Sequence, residues 1–136
     1  MASIEIDIVR AFIAAINRRD VDEIGQLMAE DHQFIDSAGR ATSGRMQMTA
    51  GWRAYFAMFP DFEIQIESVM ADTERVAVFG RTCGTYNGKR GLVAANRIEM
   101  TAAWKAIVSN GKIKVWQVYA DWTEGLKTID EDKKSG

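Results

Sequence analysis

The stretch Gly111–Trp122, GKIKVWQVYADW, alternates as a β-strand, and the two sets of side chains it separates decide the fold. Ile113, Val115, Gln117, Tyr119 and Asp121 fall on one face; Trp116, Val118, Ala120 and Trp122 fall on the other. Both faces are largely apolar, whereas a sheet with one side in water is apolar on only one. The strand therefore needs cover on both sides, helices on one and a second subunit on the other. The face with Gln117, Tyr119 and Asp121 is assigned to the interior, and Trp116, Val118 and Trp122 to a homodimer contact.

Three more strands precede it: FEIQIESVM, RVAVFGRTCGTY and NRIEMTAAWKAIV, separated by ADTE, NGKRG and SNG. These breaks are turn chemistry and imply antiparallel hairpins. On the second strand Val76, Val78, Gly80, Thr82, Gly84 and Tyr86 share a face, and its small residues leave room for a bulge, a close neighbour or a hollow. Upstream, Ile4, Ile8, Val9, Phe12, Ile13 and Ile16 recur at helical spacing. Asp20 is placed to cap a short second helix. Met48, Trp52, Tyr55, Phe56 and Phe59 form the apolar stripe of a third helix, which Pro60 ends. DHQFIDSAG is a brief extended piece closing in a turn at Asp36 and Gly39, with His32 expected at the surface. Helices first and a strand meander after them make an α+β fold, with the sheet wrapped around the helices.

At 136 residues, 47% of them hydrophobic and 26% charged, the chain suits one globular domain. That domain is taken as residues 1–125, followed by a polar C-terminal tail, 126–136, without apolar periodicity. A net charge of -2 with interspersed signs gives no basic stripe for nucleic acid and no basic amphipathic segment for a membrane. The N-terminus lacks the pattern of a signal peptide, and the single cysteine, Cys83, fits a reducing cytoplasm. With one histidine and one cysteine there is no metal-ligand spacing, so neither metal nor other cofactor is expected.

The order of elements, with AFIAAINRRD, FIDSAG, FPDFEI, GTYNG and NGKIKVWQVYAD, resembles the NTF2-like superfamily of cone-shaped α+β barrels, and within it the SnoaL-like polyketide cyclases and ketosteroid isomerases. The resemblance covers about residues 5 to 125 and implies an open pocket between helices and sheet and a homodimer through the convex sheet face. In ketosteroid isomerases the proton-moving base follows the second helix, where Asp36 stands; their oxyanion donors fall at positions that look like Phe12 and Ala103, which cannot donate. In SnoaL-like cyclases the acid/base aspartate ends the last strand, where Asp121 stands, and a Gly-Thr-His motif is matched by Gly84, Thr85 and Tyr86. Trp116, Tyr119 and Asp121 look like the Trp-x-x-Tyr-x-Asp of limonene-type epoxide hydrolases. The Arg-x-Asp pair those enzymes need is incomplete, whether it falls on Gly80 and Thr82 or on Arg81 and Cys83.

The expected function is binding of a small apolar molecule in an internal pocket, with cyclase- or isomerase-like proton transfer by Asp36 or Asp121. A non-catalytic ligand-binding dimer is the alternative, and an epoxide hydrolase-like enzyme ranks below both. Substrate contacts are expected from Phe12, Trp52, Tyr55, Tyr86, Gln117 and Tyr119, although Trp52 and Tyr55 equally fit an ordinary helix core. Each aspartate has a second reading. Asp121 could cap a helical turn with Glu124 three residues on, and Asp36 could do no more than form its turn. Buried together, the two carboxylates would have their pKa values pushed apart, as acid/base pairs require.

Overall fold

The computed structural model describes residues 3–135. Helices α1 (Ile4–Asn17) and α2 (Val21–Leu27) are followed by strands β1 (Met28–Ile35) and β2 (Ala41–Ser43), and then by α3 (Arg45–Met58). The long strands β3 (Glu63–Asp72), β4 (Arg75–Thr85), β5 (Arg97–Ser109) and β6 (Lys112–Ala120) come next, with a short 3-10 turn at Ala94–Asn96, and α4 (Thr123–Lys134) ends the chain. The architecture is α+β: one six-stranded sheet in the order β2-β1-β6-β5-β4-β3 curves around the helices without closing. All neighbours are antiparallel except β1 and β6, which run parallel. No helix among the described residues is long and apolar enough to cross a membrane.

Local chemistry accounts for most element ends. Ser3 caps α1 by accepting from the Ile6 N–H, and Asp20 caps α2 by accepting from the Glu23 N–H. Asn110 and Gly111 both adopt positive φ, 52° and 75°, which is the turn a tight β5–β6 hairpin requires. The α1 stripe of Val9, Phe12, Ile13 and Ile16 is fully buried and packs across β3 to β6.

Three expectations are corrected. The alternation along β6 is as read, but its sides are exchanged: Trp116 is 1% exposed and faces the helices, while Tyr119 is 48% exposed on the convex side. The cause is one extra residue. Ile107 pairs with Val115 but Val108 pairs with Ile113, so β6 bulges at Lys114 and its phase shifts by one. Ile113 and Trp116 consequently share the inner face, and the homodimer contact assigned to Trp116, Val118 and Trp122 cannot form there. Second, the stretch expected as a polar tail from 126 contains most of α4, except Gly136, which lies outside the described residues. Its anchor is polar: the buried Asp132 carboxylate accepts the Lys89 and Arg90 backbone N–H groups and the Asn96 side-chain amide. Third, His32 is fully buried instead of exposed.

Gly80 shows why the second long strand needs small residues. A Cβ there would lie 2.0 Å from the Gln65 carbonyl oxygen, because β3 bulges between Ile66 and Ser68 and brings its backbone against β4. Gly84 makes room in turn for Phe59 and Phe62. The small residues at 80 and 84 thus serve close packing and not a hollow.

His32 Nδ1 lies 2.7 Å from the Ile113 carbonyl, which can only accept, so Nδ1 carries the proton. Nε2 is buried without a partner. Burial, outweighing the Ile113 hydrogen bond and the charge of Asp31, holds the imidazole pKa below its ordinary value. The unfolded chain therefore takes up a proton below about pH 6.5 that the folded chain resists. Stability from this group is complete above about pH 6.5 and is lost as pH falls toward the folded value.

Two outcomes are expected in urea denaturation. Gly80→Ala loses on the order of 2–3 kcal/mol to steric overlap, whereas Gly51→Ala, inside α3 with only Met48 near the new methyl, gains about 0.5–1 kcal/mol. Between pH 7 and 5 the wild type loses stability with a slope of up to about 1.4 kcal/mol per pH unit. His32→Asn, whose amide can still donate to Ile113, flattens that segment; an unchanged slope would remove His32 as its source.

Candidate functional site

A cavity of about 360 Å³ opens between α3 and the concave face of the sheet. Its floor carries Trp104 of β5 and Trp116 of β6, with indole planes 21° apart and centroids 6.2 Å apart. Trp104 pairs with Val118, so the two indoles are diagonal neighbours across adjacent strands and share the inner face. Met48, Trp52 and Tyr55 recur at helical spacing on α3 and form the opposite wall, the Trp52 and Tyr55 rings standing at 86°. Trp122, just before α4, completes the enclosure beside Phe59, 6.2 Å away. All four tryptophans of the chain thus line one space. Exposed Ser37, Thr42 and Gln47 mark its mouth.

Asp36, half-buried at that mouth, is the only acidic or basic side chain on the lining among the described residues. Its Oδ1 accepts the Ala38 and Arg40 backbone N–H groups, both at 2.9 Å, and so shapes the β1–β2 turn. Its Oδ2 has no hydrogen-bond partner among the described residues. Two donors stand on the α3 wall. The Trp52 indole N–H is buried without an acceptor, and burial pushes the Tyr55 hydroxyl above the usual tyrosine range, which keeps it protonated.

The residues singled out from the sequence separate into two groups. Asp36, Trp52 and Tyr55 line the cavity. Phe12 lies behind its floor, fully buried at 5.1 Å from the Trp116 ring, and Tyr86 packs on Phe59 at 5.8 Å outside the lining. Gln117, Tyr119 and Asp121 stand on the far side of β6 or beyond it, a direct consequence of its bulge. Asp121 is exposed; its Oδ1 accepts the Thr123 backbone N–H at 2.9 Å and the Thr123 hydroxyl. Those hydrogen bonds lower its pKa, so it is an exposed turn-former just before α4, whose N-cap is Trp122, and no desolvated acid. The two aspartates therefore do not share a cavity. Trp104, Trp116, Trp122, Phe34, Phe62 and Thr82 are lining residues that were not anticipated. Among the described residues no three metal-ligating side chains cluster.

Residues 9–116 match the model of the SnoaL-like domain. No curated relative matches the chain. Among solved structures, a candidate polyketide cyclase from Xanthomonas campestris superposes with a TM-score of 0.82 at 19% identity, covering 93% of this chain and 96% of its own. An LEH-like epoxide hydrolase from M. tuberculosis gives 0.78 at 18% identity, with 96% and 92% covered. A hypothetical Catenulispora acidiphila protein with a ketosteroid isomerase-like fold, in complex with trimethylamine, gives 0.77 at 20% identity, with 89% and 90% covered. At these identities the likeness is one of fold.

Proposed function

We propose that this chain, which belongs to the SnoaL-like domain family, binds a small, mostly apolar molecule in the tryptophan-lined cavity and moves a proton on it with Asp36. The observation that carries the reading is convergence. Four tryptophans from α3, β5, β6 and the α4 entrance meet around one space with a single carboxylate at its mouth. Apolar walls with a few placed polar groups are the usual form of a small-molecule site. Oδ2 of Asp36 is the free oxygen that would take a proton from an activated C–H of the ligand and return it at a neighbouring carbon. The unpartnered Trp52 N–H and the Tyr55 hydroxyl are the donors available to a ligand oxygen on which charge develops.

A second reading, binding without turnover, is favoured by one specific feature: the two backbone hydrogen bonds to Oδ1 give Asp36 a turn-forming role that needs no chemistry. Epoxide hydrolysis finds less support. Thr82 is the one β4 side chain on the cavity lining among the described residues, so neither register supplies the Arg-x-Asp pair.

The convex face supports a homodimer through residues other than those first assigned. Phe79, Ala103 and Tyr119 stand in register across β4, β5 and β6, with Phe79 43% and Tyr119 48% exposed. Two aromatic side chains left largely in water on one sheet face, with only the small Ala103 between them, form an apolar patch suited to a contact surface.

Three measurements test these statements. Terpenoid, polyketide and steroid-like compounds are expected to quench or shift the tryptophan emission and raise the melting temperature; a library without a single binder would remove the site. Asn keeps the Oδ1 acceptor, so Asp36→Asn preserves the turn; it should abolish turnover of a bound compound by about 10²-fold or more while leaving the fold intact. If wild type turns over none of its binders, the binding-only reading replaces catalysis. Phe79→Lys combined with Tyr119→Lys shifts sedimentation from dimer to monomer, and a wild type that is monomeric at high concentration excludes the interface.

A further inference from the structure

The geometry points to a ligand that carries an alkylated ammonium group, a tertiary or quaternary amine on an apolar body. This inference rests on the cavity being the ligand site proposed above, and goes beyond it in naming the charge and head group that the walls select.

Charge is the first constraint. The lining holds one carboxylate and, among the described residues, no lysine, arginine or histidine. A carboxylate or phosphate ligand entering it would surrender hydration, find no counter-charge and meet Asp36 at the mouth. A cation meets the reverse situation, since Oδ2 of the Asp36 carboxylate has no hydrogen-bond partner among the described residues.

The walls supply the second constraint. Indole and phenol rings carry negative charge on their faces and attract cations within about 6 Å, tryptophan most strongly. Here four indoles and the Tyr55 ring surround one space. The rings are not all parallel: the floor indoles of Trp104 and Trp116 lie 21° apart and the α3 rings of Trp52 and Tyr55 stand at 86°. Rings turned in more than one direction suit a compact tetrahedral head better than a flat ring system.

Hydration decides between kinds of amine. A primary ammonium has three N–H donors to satisfy. The exposed acceptors Ser37, Thr42 and Gln47 stand at the mouth, while the floor of Trp104, Trp116 and Ile64 has one side-chain acceptor beside it, the Thr82 hydroxyl. A head group whose hydrogens are replaced by alkyl groups leaves few or no donors unmet on that floor.

The test is a matched pair of probes. Benzyltrimethylammonium and its neutral isostere 2,2-dimethylpropylbenzene differ by exchange of nitrogen for carbon; phenylacetate supplies the anion. Titrations at pH 7, followed by tryptophan fluorescence and calorimetry, should give the ammonium probe at least tenfold higher affinity than the isostere, with phenylacetate weakest. Asp36→Asn should lower the cation-to-neutral ratio several-fold. Equal affinity for the cation and the isostere overturns the amine inference and leaves the apolar site standing. Binding of neither overturns both, and an unaltered ratio in Asp36→Asn removes the carboxylate from the recognition.

Discussion

A single extra residue in β6, between Ile113 and Val115, determines which side of that strand the helices cover. Because side chains alternate with a period of two, the bulge turns Trp116, Val118 and Ala120 inward and leaves Gln117 and Tyr119 outside. Trp116 then meets Phe12 of α1 at 5.1 Å and Trp104 of β5 at 6.2 Å, tying the first helix to the middle of the sheet. Without the shift, the cavity would be floored by Gln117 and Tyr119 and the buried Trp116 indole would face water. The Trp116 packing, the floor of the cavity and the exposure of Tyr119 beside Ala103 follow from that one register.

Polar groups inside this frame are mostly committed to holding edges. Asn17 exchanges two hydrogen bonds with the Ile64 backbone and pins α1 to the start of β3. Asp61 accepts the Thr85 N–H and hydroxyl across the end of β4, and Asp132 gathers the loop before β5 onto α4. A buried polar group left unpaired costs free energy, so such commitments are the rule. The exceptions are informative. Among the described residues three buried side-chain nitrogens have no partner: Trp52 Nε1 beside the cavity, His32 Nε2 in the core behind its floor, and Arg45 Nε at the start of α3. Only the first belongs to a cavity-lining residue; at the mouth the half-buried Asp36 adds an Oδ2 without a hydrogen-bond partner among the described residues.

How much of this was legible in the sequence depends on range. The Asp20 cap, the Pro60 stop, the Asn110–Gly111 turn and the α3 stripe are local, and they were readable because the chemistry lies within a few residues. The α+β order follows from the same local signals, and so does Asp36 at a turn. The side of β6 was not readable: Val115 pairs with Ile107 and Ile113 with Val108, and nothing in KIKVWQVYA marks Lys114 as the extra residue. His32 looked exposed between Asp31 and Gln33, which are exposed, while its own partner, Ile113, lies 81 positions away. Helix α4 was missed for a similar reason. Its apolar content is low, and its anchor is a carboxylate whose partners come from the loop at 89–96.

The same division explains what the cavity can do. Burying an apolar surface there is non-directional, so under the proposed reading any compound of suitable size would gain from leaving water, and the walls alone would give affinity with little discrimination. Discrimination has to come from the few directional features: ring faces set at differing angles, one free carboxylate oxygen, one free indole N–H. Each of these is fixed by an element that does not flex easily, α3 for Trp52, two paired strands for Trp104 and Trp116, and a hydrogen-bonded turn for Asp36. Preorganised groups of this kind lose little freedom when a ligand arrives, so their contribution survives in the net binding energy. The turn that gives Asp36 its structural task is thus also what would hold its second oxygen at the mouth of the cavity.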